Sequence, residues 1–216
     1  MDPKGRFDTL CIHAGQAPDP TNGALMTPVY FTSTYLQDGL GQHRGFDYAR
    51  VRNPTRDAVE ANLAALEGGA HGMAFGSGMA AVQAIFEQLS SGDHVVLGDN
   101  VYGGTFRLLD KVMTRFGLTY TQVDTGDLVA FKAALRPNTK LVMLETPTNP
   151  MLGITDIPGA RRVMTEAGCA AVLAVDNTFA TPYNQRPLEL GADLVFHSTT
   201  KYLNGHSDSI GGIAIT

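Results

Sequence analysis

The sequence predicts an α/β fold, a mostly parallel seven-stranded sheet flanked by helices, and two observations carry that prediction. From Gly72 onward, short runs rich in Val, Leu, Ile and Ala alternate with longer helical patterns, and each run is closed by Gly, Asp, Asn or Thr. The runs are apolar almost throughout rather than alternating with polar residues, which is the pattern of strands covered on both faces by helices.

Taken in order, residues 1–52 carry aromatics and prolines with little periodicity, so they read as an extended arm without a core of its own. The clearest helix begins at Asn53, Pro54 and Thr55, where a capping side chain and a first-turn proline precede Val59, Leu63 and Leu66 at one-face spacing. Gly68 ends it. The expected strands are Met73 to Phe75, His94 to Leu97, Thr119 to Val123, Leu141 to Glu145, Ala171 to Val175, Asp193 to His197 and Gly212 to Ile215. The division is thus an arm over 1–52 and one large domain over 53–216.

A chain of 216 residues with 44% hydrophobic and 17% charged content can bury one sizeable core. Its net charge of −5, with basic and acidic residues interleaved, leaves no concentrated positive face, so neither nucleic acid nor a membrane is expected as a partner. A small molecule suits it better. The stretch Met1 to Thr9 is polar, without the apolar run of a secretory signal or membrane anchor, and a cytoplasmic location is expected. Cys11 and Cys169 stand far apart with no CxxC or Cys/His spacing, so no metal site and no disulfide framework is expected.

In an open parallel sheet, ligands gather beyond the carboxyl ends of the strands, and four such ends carry polar groups. The strand ending at His197 runs into Ser198, Thr199, Thr200 and Lys201. A lysine held at a crowded strand end can lose its proton and attack an aldehyde, while neighbouring hydroxyls suit a phosphate oxygen. Taken alone, it would be a surface lysine. Asp176 closes the strand before it, and a carboxylate at that depth calls for a cationic partner such as a protonated pyridine nitrogen. An aspartate after a strand is equally a turn or cap residue.

The third end offers Gly76, Ser77, Gly78, Met79 and Ala80 before an apolar helix, whose free amides can hold a phosphate. Gly76, Gly78 and Ala81 also fit GxGxxA with Asp99 downstream, a formal dinucleotide fingerprint. That reading leaves Lys201 and Asp176 without a role. At the fourth end, Tyr102 stands between a strand and the pair Gly103 and Gly104, placed either to stack on a flat ring or to pack on the next helix.

Five segments in one order carry a resemblance: Tyr48 to Thr55 (YARVRNPT), Tyr102 to Thr105 (YGGT), Glu145 to Pro150 (ETPTNP), Asp176 to Thr178 (DNT) and Ser198 to Asp208 (STTKYLNGHSD). From about Thr9 onward the chain resembles the cystathionine γ-synthases, cystathionine γ-lyases and methionine γ-lyases, pyridoxal-phosphate enzymes on the fold of the aspartate aminotransferases (fold type I). The resemblance implies pyridoxal 5′-phosphate as cofactor, with its aldehyde on Lys201, its pyridine nitrogen on Asp176, its ring under Tyr102 and its phenolic oxygen near Asn149. It further implies that Gly78, Met79, Ser198 and Thr200 bind the phosphate, joined by Tyr48 and Arg50 from a neighbouring subunit. A homo-oligomer, dimer or tetramer, follows from that last point. Lys201 would act as general base and acid, with Tyr102 assisting.

Arg107 matches an arginine that meets a distal carboxylate in cystathionine enzymes, Asp47 an acidic position facing the distal ammonium, and Gly104 stands where methionine γ-lyases often carry cysteine. The expected reaction is therefore γ-replacement of the cystathionine γ-synthase type, with cystathionine γ-lyase, methionine γ-lyase or homoserine sulfhydrylase as alternatives. Members of the family continue past the lysine segment into a smaller C-terminal domain bearing the arginine for the substrate α-carboxylate. This chain, ending at Thr216, is expected to lack that domain, which leaves a non-catalytic cofactor-binding fragment as a further alternative.

Overall fold

The computed structural model describes residues 5–216; Met1–Lys4, the first residues of the arm and of the polar N-terminal stretch, lie outside the described residues. The chain runs α1 (Phe7–His13), α2 (Pro54–Glu67), β1 (Gly72–Phe75), α3 (Gly78–Phe86), β2 (His94–Gly98), α4 (Gly103–Lys111), a 3₁₀ turn (Met113–Phe116) and β3 (Thr119–Val123). It continues through α5 (Leu128–Ala134), β4 (Thr139–Glu145), α6 (Ile157–Glu166), β5 (Val172–Asp176), α7 (Thr181–Asn184), β6 (Leu194–His197) and β7 (Gly212–Ile215).

All the expected strands join one seven-stranded sheet in the order β1-β7-β6-β5-β4-β2-β3. Only β7 runs against the rest, pairing antiparallel with β1 and β6, while β6, β5, β4, β2 and β3 pair in parallel. The carboxyl ends of β1, β2, β4, β5 and β6 consequently open on one edge, and the start of β7 returns to that same edge.

The strands are apolar throughout because both faces are covered. Val96, Val142, Leu144, Leu173 and Val175 pack with Phe131, Ile157 and Met164 of α5 and α6. Their neighbours in sequence, Val95, Leu97, Leu141, Met143 and Ala174, pack on the other face with Val82, Phe86 and Leu109 of α3 and α4. Alternate residues thus serve opposite layers.

Helix α2 starts and stops as its sequence predicts. The Asn53 side chain accepts the Thr55 amide, Pro54 fills the first turn, and Gly68 closes the helix at φ 73°, a left-handed position where a Cβ would be strained. Leu63 and Leu66 are buried, but Val59 is 44% exposed and lies off the packed face.

The arm differs from its expected extended form in one place, the helix α1. Leu10 and Ala14 bury against Leu63, Ala64 and Leu66, and the Asn62 amide donates to the carbonyls of Leu10 and Ala14. A segment this short holds its helix through packing rather than through its own periodicity. From residue 15 to 52 the arm has only isolated bridges, Thr34 with Tyr48 and Gln37 with His43, and is tied to α2 where Thr55 Oγ1 donates to the Pro28 carbonyl and accepts the Tyr30 amide. Phe31 is 97% exposed there, and Leu36 and Leu40 are also exposed.

Candidate functional site

The carboxyl edge gathers the loops that follow β1, β2, β4, β5 and β6. At the end of β1, Ser77 caps α3: its carbonyl and hydroxyl accept the Ala80 amide, and its carbonyl also accepts that of Ala81. The amides of Gly78 and Met79 remain the free donors of the first turn. Gly78 lies so close to the segment after β6 that a Cβ there would stand 2.8 Å from Ser198 Cβ, and one at Gly212 would stand 2.2 Å from the Ser77 carbonyl oxygen. Small residues let three segments meet. The structure therefore brings Gly78 and Met79 beside Ser198, a donor set suited to a phosphate. The Thr200 hydroxyl is engaged with Gly211, accepting its amide at 3.1 Å and lying 3.3 Å from its carbonyl.

On β5, Asp176 is partly buried beside Phe196 of β6 and Glu145 of β4. Its Oδ1 accepts the Thr178 amide at 2.9 Å, and the Thr178 hydroxyl in turn accepts the Ser198 amide at 2.9 Å. Loss of water pushes the Asp176 carboxyl above the usual range, against the opposing pull of the Thr178 hydrogen bonds and of His197. No lysine or arginine pairs with it among the described residues. A cationic ring nitrogen is the kind of partner this carboxyl lacks.

Lys201 stands exposed in the turn after β6, with its backbone amide on the Ser198 carbonyl at 3.2 Å and its ammonium in no ion pair among the described residues. The crowding expected around it is not supplied by this chain's own side chains, because the edge is open. Tyr102 is 58% exposed at the head of α4. A Cβ at Gly104 would stand 2.4 Å from Tyr102 Cε1 and 2.9 Å from Met79 Sδ, so glycine there makes room for the tyrosine ring. Asn149 lies exposed in the loop after β4.

Arg107 is exposed one turn along α4, with Nη1 3.4 Å from where a Gly103 Cβ would be. Asp47, Tyr48 and Arg50 sit on the arm: Asp47 Oδ1 accepts the Tyr48 amide at 2.7 Å, and the Arg50 guanidinium lies 5.0 Å from the Tyr48 ring centre. These three belong to the arm rather than to the edge of the sheet.

Sequence reasoning passed over two sets of residues here. Glu145, quoted only as part of a motif, accepts the Tyr102 amide at 2.6 Å and the Asn149 amide at 3.4 Å. Its carboxyl is pushed up to about 7, by burial and then by Asp176. Beneath the edge, His197 Nε2 and Glu67 Oε1 lie 2.5 Å apart at 0% and 1% side-chain exposure, and the Asn177 amide joins Glu67 to the Gln185 carbonyl. Among the described residues, His197 Nδ1 and Glu67 Oε2 have no hydrogen-bond partner. A helix-ending glutamate and a strand-ending histidine give no signal of pairing, because they stand far apart in sequence.

Among the described residues, no group of three His, Cys, Asp or Glu side chains could hold a metal ion, and no helix is long and apolar enough to cross a membrane. The sequence profile of the Cys/Met metabolism PLP-dependent enzymes matches residues 8–216. The chain is 55% identical over 210 residues to cystathionine γ-synthase of Mycobacterium tuberculosis and 52% identical over 208 residues to cystathionine γ-lyase of Bacillus subtilis. Both alignments take in 96% of this chain and 54% of the relative. The crystal structure of metB from Corynebacterium glutamicum superposes with a TM-score of 0.97 at 51% identity, covering 100% of this chain and 56% of that one. This chain therefore spans about half the length of these relatives. With a sheet edge that carries free amides suited to a phosphate and a carboxyl suited to a ring cation, and with this likeness along nearly its whole length, the chain belongs to the pyridoxal-phosphate-dependent enzymes of cysteine and methionine metabolism.

Proposed function

We propose that the chain forms the cofactor half of an enzyme of γ-replacement, cystathionine γ-synthase in type, joining an acyl-homoserine to cysteine. The observation that carries the cofactor part of this reading is Asp176, a carboxyl at the end of β5 whose charge burial opposes and which pairs with no lysine or arginine among the described residues. Such a group is costly unless a cation meets it. When bound, pyridoxal phosphate would supply an electron sink for negative charge developing on the carbons of an amino-acid substrate.

Asp176 would hold the ring nitrogen in its protonated state, and the Thr178 amide fixes the carboxylate that does so. Gly78 and Met79 would donate their free amides to the phosphate, with the Ser198 hydroxyl beside them and Thr200 adding what its bond to Gly211 leaves free. Asn149 would meet the phenolic oxygen. Lys201 would capture the aldehyde and, once displaced by substrate, take and return protons at the substrate carbons. Tyr102 would stack on the ring and assist in those transfers.

Arg107 would receive the distal carboxylate and Asp47 the distal ammonium of a substrate that is an amino acid at both ends. The position of Gly104 tight against Tyr102 and Met79 leaves no room for a cysteine side chain without a shift, and the lack of that cysteine, often present in methionine γ-lyases, is why cystathionine chemistry is proposed over methionine cleavage. A γ-lyase outcome is the second reading, supported by a relative of that name at 52% identity. Tyr48 and Arg50 would reach a neighbouring copy's phosphate, and the exposed apolar arm around Phe31, Leu36 and Leu40 supports its lying against another subunit. The working state would be a dimer or tetramer in the cytoplasm.

The test takes the full chain with added pyridoxal phosphate. A visible absorption band should appear, borohydride should fix the cofactor, and mass spectrometry of peptides should find it on Lys201. A colourless protein, or label on another lysine, overturns the reading. Offering homoserine esters with cysteine, and cystathionine alone, then separates synthesis from cleavage by product.

A further inference from the structure

Glu145 closes β4 directly beside Asp176, its register partner on β5, and is only 8% exposed. Burial and the neighbouring Asp176 both oppose its charge. A glutamate kept in such a place usually serves through its oxygens. Here Oε2 accepts the Tyr102 amide at 2.6 Å and Oε1 faces the Asn149 amide at 3.4 Å.

Those two amides belong to separate loops. Tyr102 heads α4, where a backbone donor has no acceptor within its own helix, and Asn149 lies exposed beyond β4, next to buried Thr148, whose hydroxyl accepts the Asn100 side-chain amide at 3.0 Å. The aim of an exposed loop side chain follows its backbone. One carboxyl group thus ties both loops to the rigid end of a central strand.

We infer that Glu145 is a positioning residue, setting Tyr102 over the face and Asn149 beside the edge of one bound pyridoxal ring from a single side chain. This rests on the cofactor reading proposed above and deepens it. Removing the carboxyl loosens both loops at the two amides it holds, leaving the Asn100 bond to Thr148 as a remaining tie between them, so the cofactor meets a less ordered site and its ring takes a different tilt. A carboxyl serving only the stability of the strand end would leave that tilt alone.

The experiment uses the full chain, as wild type, Glu145→Gln and Glu145→Ala, measuring pyridoxal phosphate affinity by titration, visible circular dichroism of the bound cofactor, and thermal unfolding without cofactor. Glu145→Ala should weaken binding by about tenfold or more, as expected for the loss of a buried acceptor shared by two donors, and should change the dichroic band. Glu145→Gln keeps one acceptor oxygen, so it should lose roughly threefold to tenfold and shift the band partway. If Glu145→Ala does not fold, Glu145→Gln decides alone. Wild-type affinity and an unchanged band in Glu145→Gln overturn the inference while leaving the cofactor reading intact, as does a variant that only melts earlier. A wild-type protein that takes up no pyridoxal phosphate overturns both.

Discussion

The two edges of one parallel sheet handle buried polar groups in opposite ways. At the amino edge, His94 begins β2 fully buried, with Nδ1 2.9 Å from Thr139 Oγ1 and Nε2 3.0 Å from Thr121 Oγ1. Arg136 bonds the same two hydroxyls through its side chain and its backbone amide, and Asn138 closes onto the Gly92 carbonyl. That edge satisfies its own donors and acceptors. At the carboxyl edge, Glu145 and Asp176 sit side by side, and among the described residues no lysine or arginine pairs with them and Glu67 Oε2 and His197 Nδ1 lack partners, while Tyr102 and Lys201 face outward. Polar groups left unpaired on one edge and paired on the other support the carboxyl edge as the place proposed for the ligand.

The largest break in this comparison should come from Asp176→Asn. An amide cannot neutralise a ring cation, and removing one partner of a withdrawn charge pair costs about 3–5 kcal/mol, so pyridoxal phosphate affinity should fall by roughly two to four orders of magnitude in a titration followed by absorbance. The cofactor-free protein should become more stable above neutral pH, because a carboxyl that resists charging has gone. Lower stability of that form, with cofactor affinity kept, would mean that Asp176 serves the fold.

A core substitution on the same sheet gives the contrast. Phe131→Ala, at a fully buried site in the layer against α5 and α6, should cost about 3–5 kcal/mol of unfolding free energy by denaturant titration. Cofactor affinity of the folded fraction should stay near that of wild type, since Phe131 lies away from the edge residues. A parallel loss of affinity would show that this layer also shapes the site.

The sheet was legible because both-face burial writes continuous apolar runs, and the β2 and β4 runs need only length and punctuation to be read. Helix α2 was legible through Asn53, Pro54 and Gly68, whose roles are local. Helix α1 was not, because Leu10 and Ala14 find their partners in α2, far along the chain. The edge residues followed from position after a strand, joined to motif order. Glu145 escaped because its partners are backbone amides, which leave no mark in a sequence. The Glu67 and His197 pair escaped for a related reason, its two members being set on different elements.

The two edges should also respond oppositely to pH. Glu145 is raised from 4.5 to about 7, so the native state holds its proton over a range where the unfolded chain releases it. Its stabilising contribution is complete below the unfolded value and is lost as pH rises through the folded one, on the order of 2 kcal/mol after allowing for solvent screening. Asp176, also raised, adds to the same slope. In urea titrations of cofactor-free protein between pH 5 and 8, Glu145→Gln should lose less stability with rising pH than wild type. An identical slope would mean that Glu145 titrates as an ordinary surface glutamate.

His94 should produce the smallest effect and the opposite sign. Burial first, and the Arg136 charge second, hold its imidazole below 6.5, so the neutral ring is the native form. Its contribution is present above the unfolded value and is lost as pH falls through the depressed folded one, because the unfolded chain then binds the proton that the native state refuses. His94→Gln removes that acid-side loss. It keeps an acceptor and donors for the Thr121 and Thr139 hydroxyls, so it should cost only about 1 kcal/mol at pH 7.5. Pyridoxal phosphate affinity should be unchanged, since the whole length of β2 separates His94 from Tyr102. Weaker cofactor binding in His94→Gln would mean that the two edges are coupled through the sheet rather than independent.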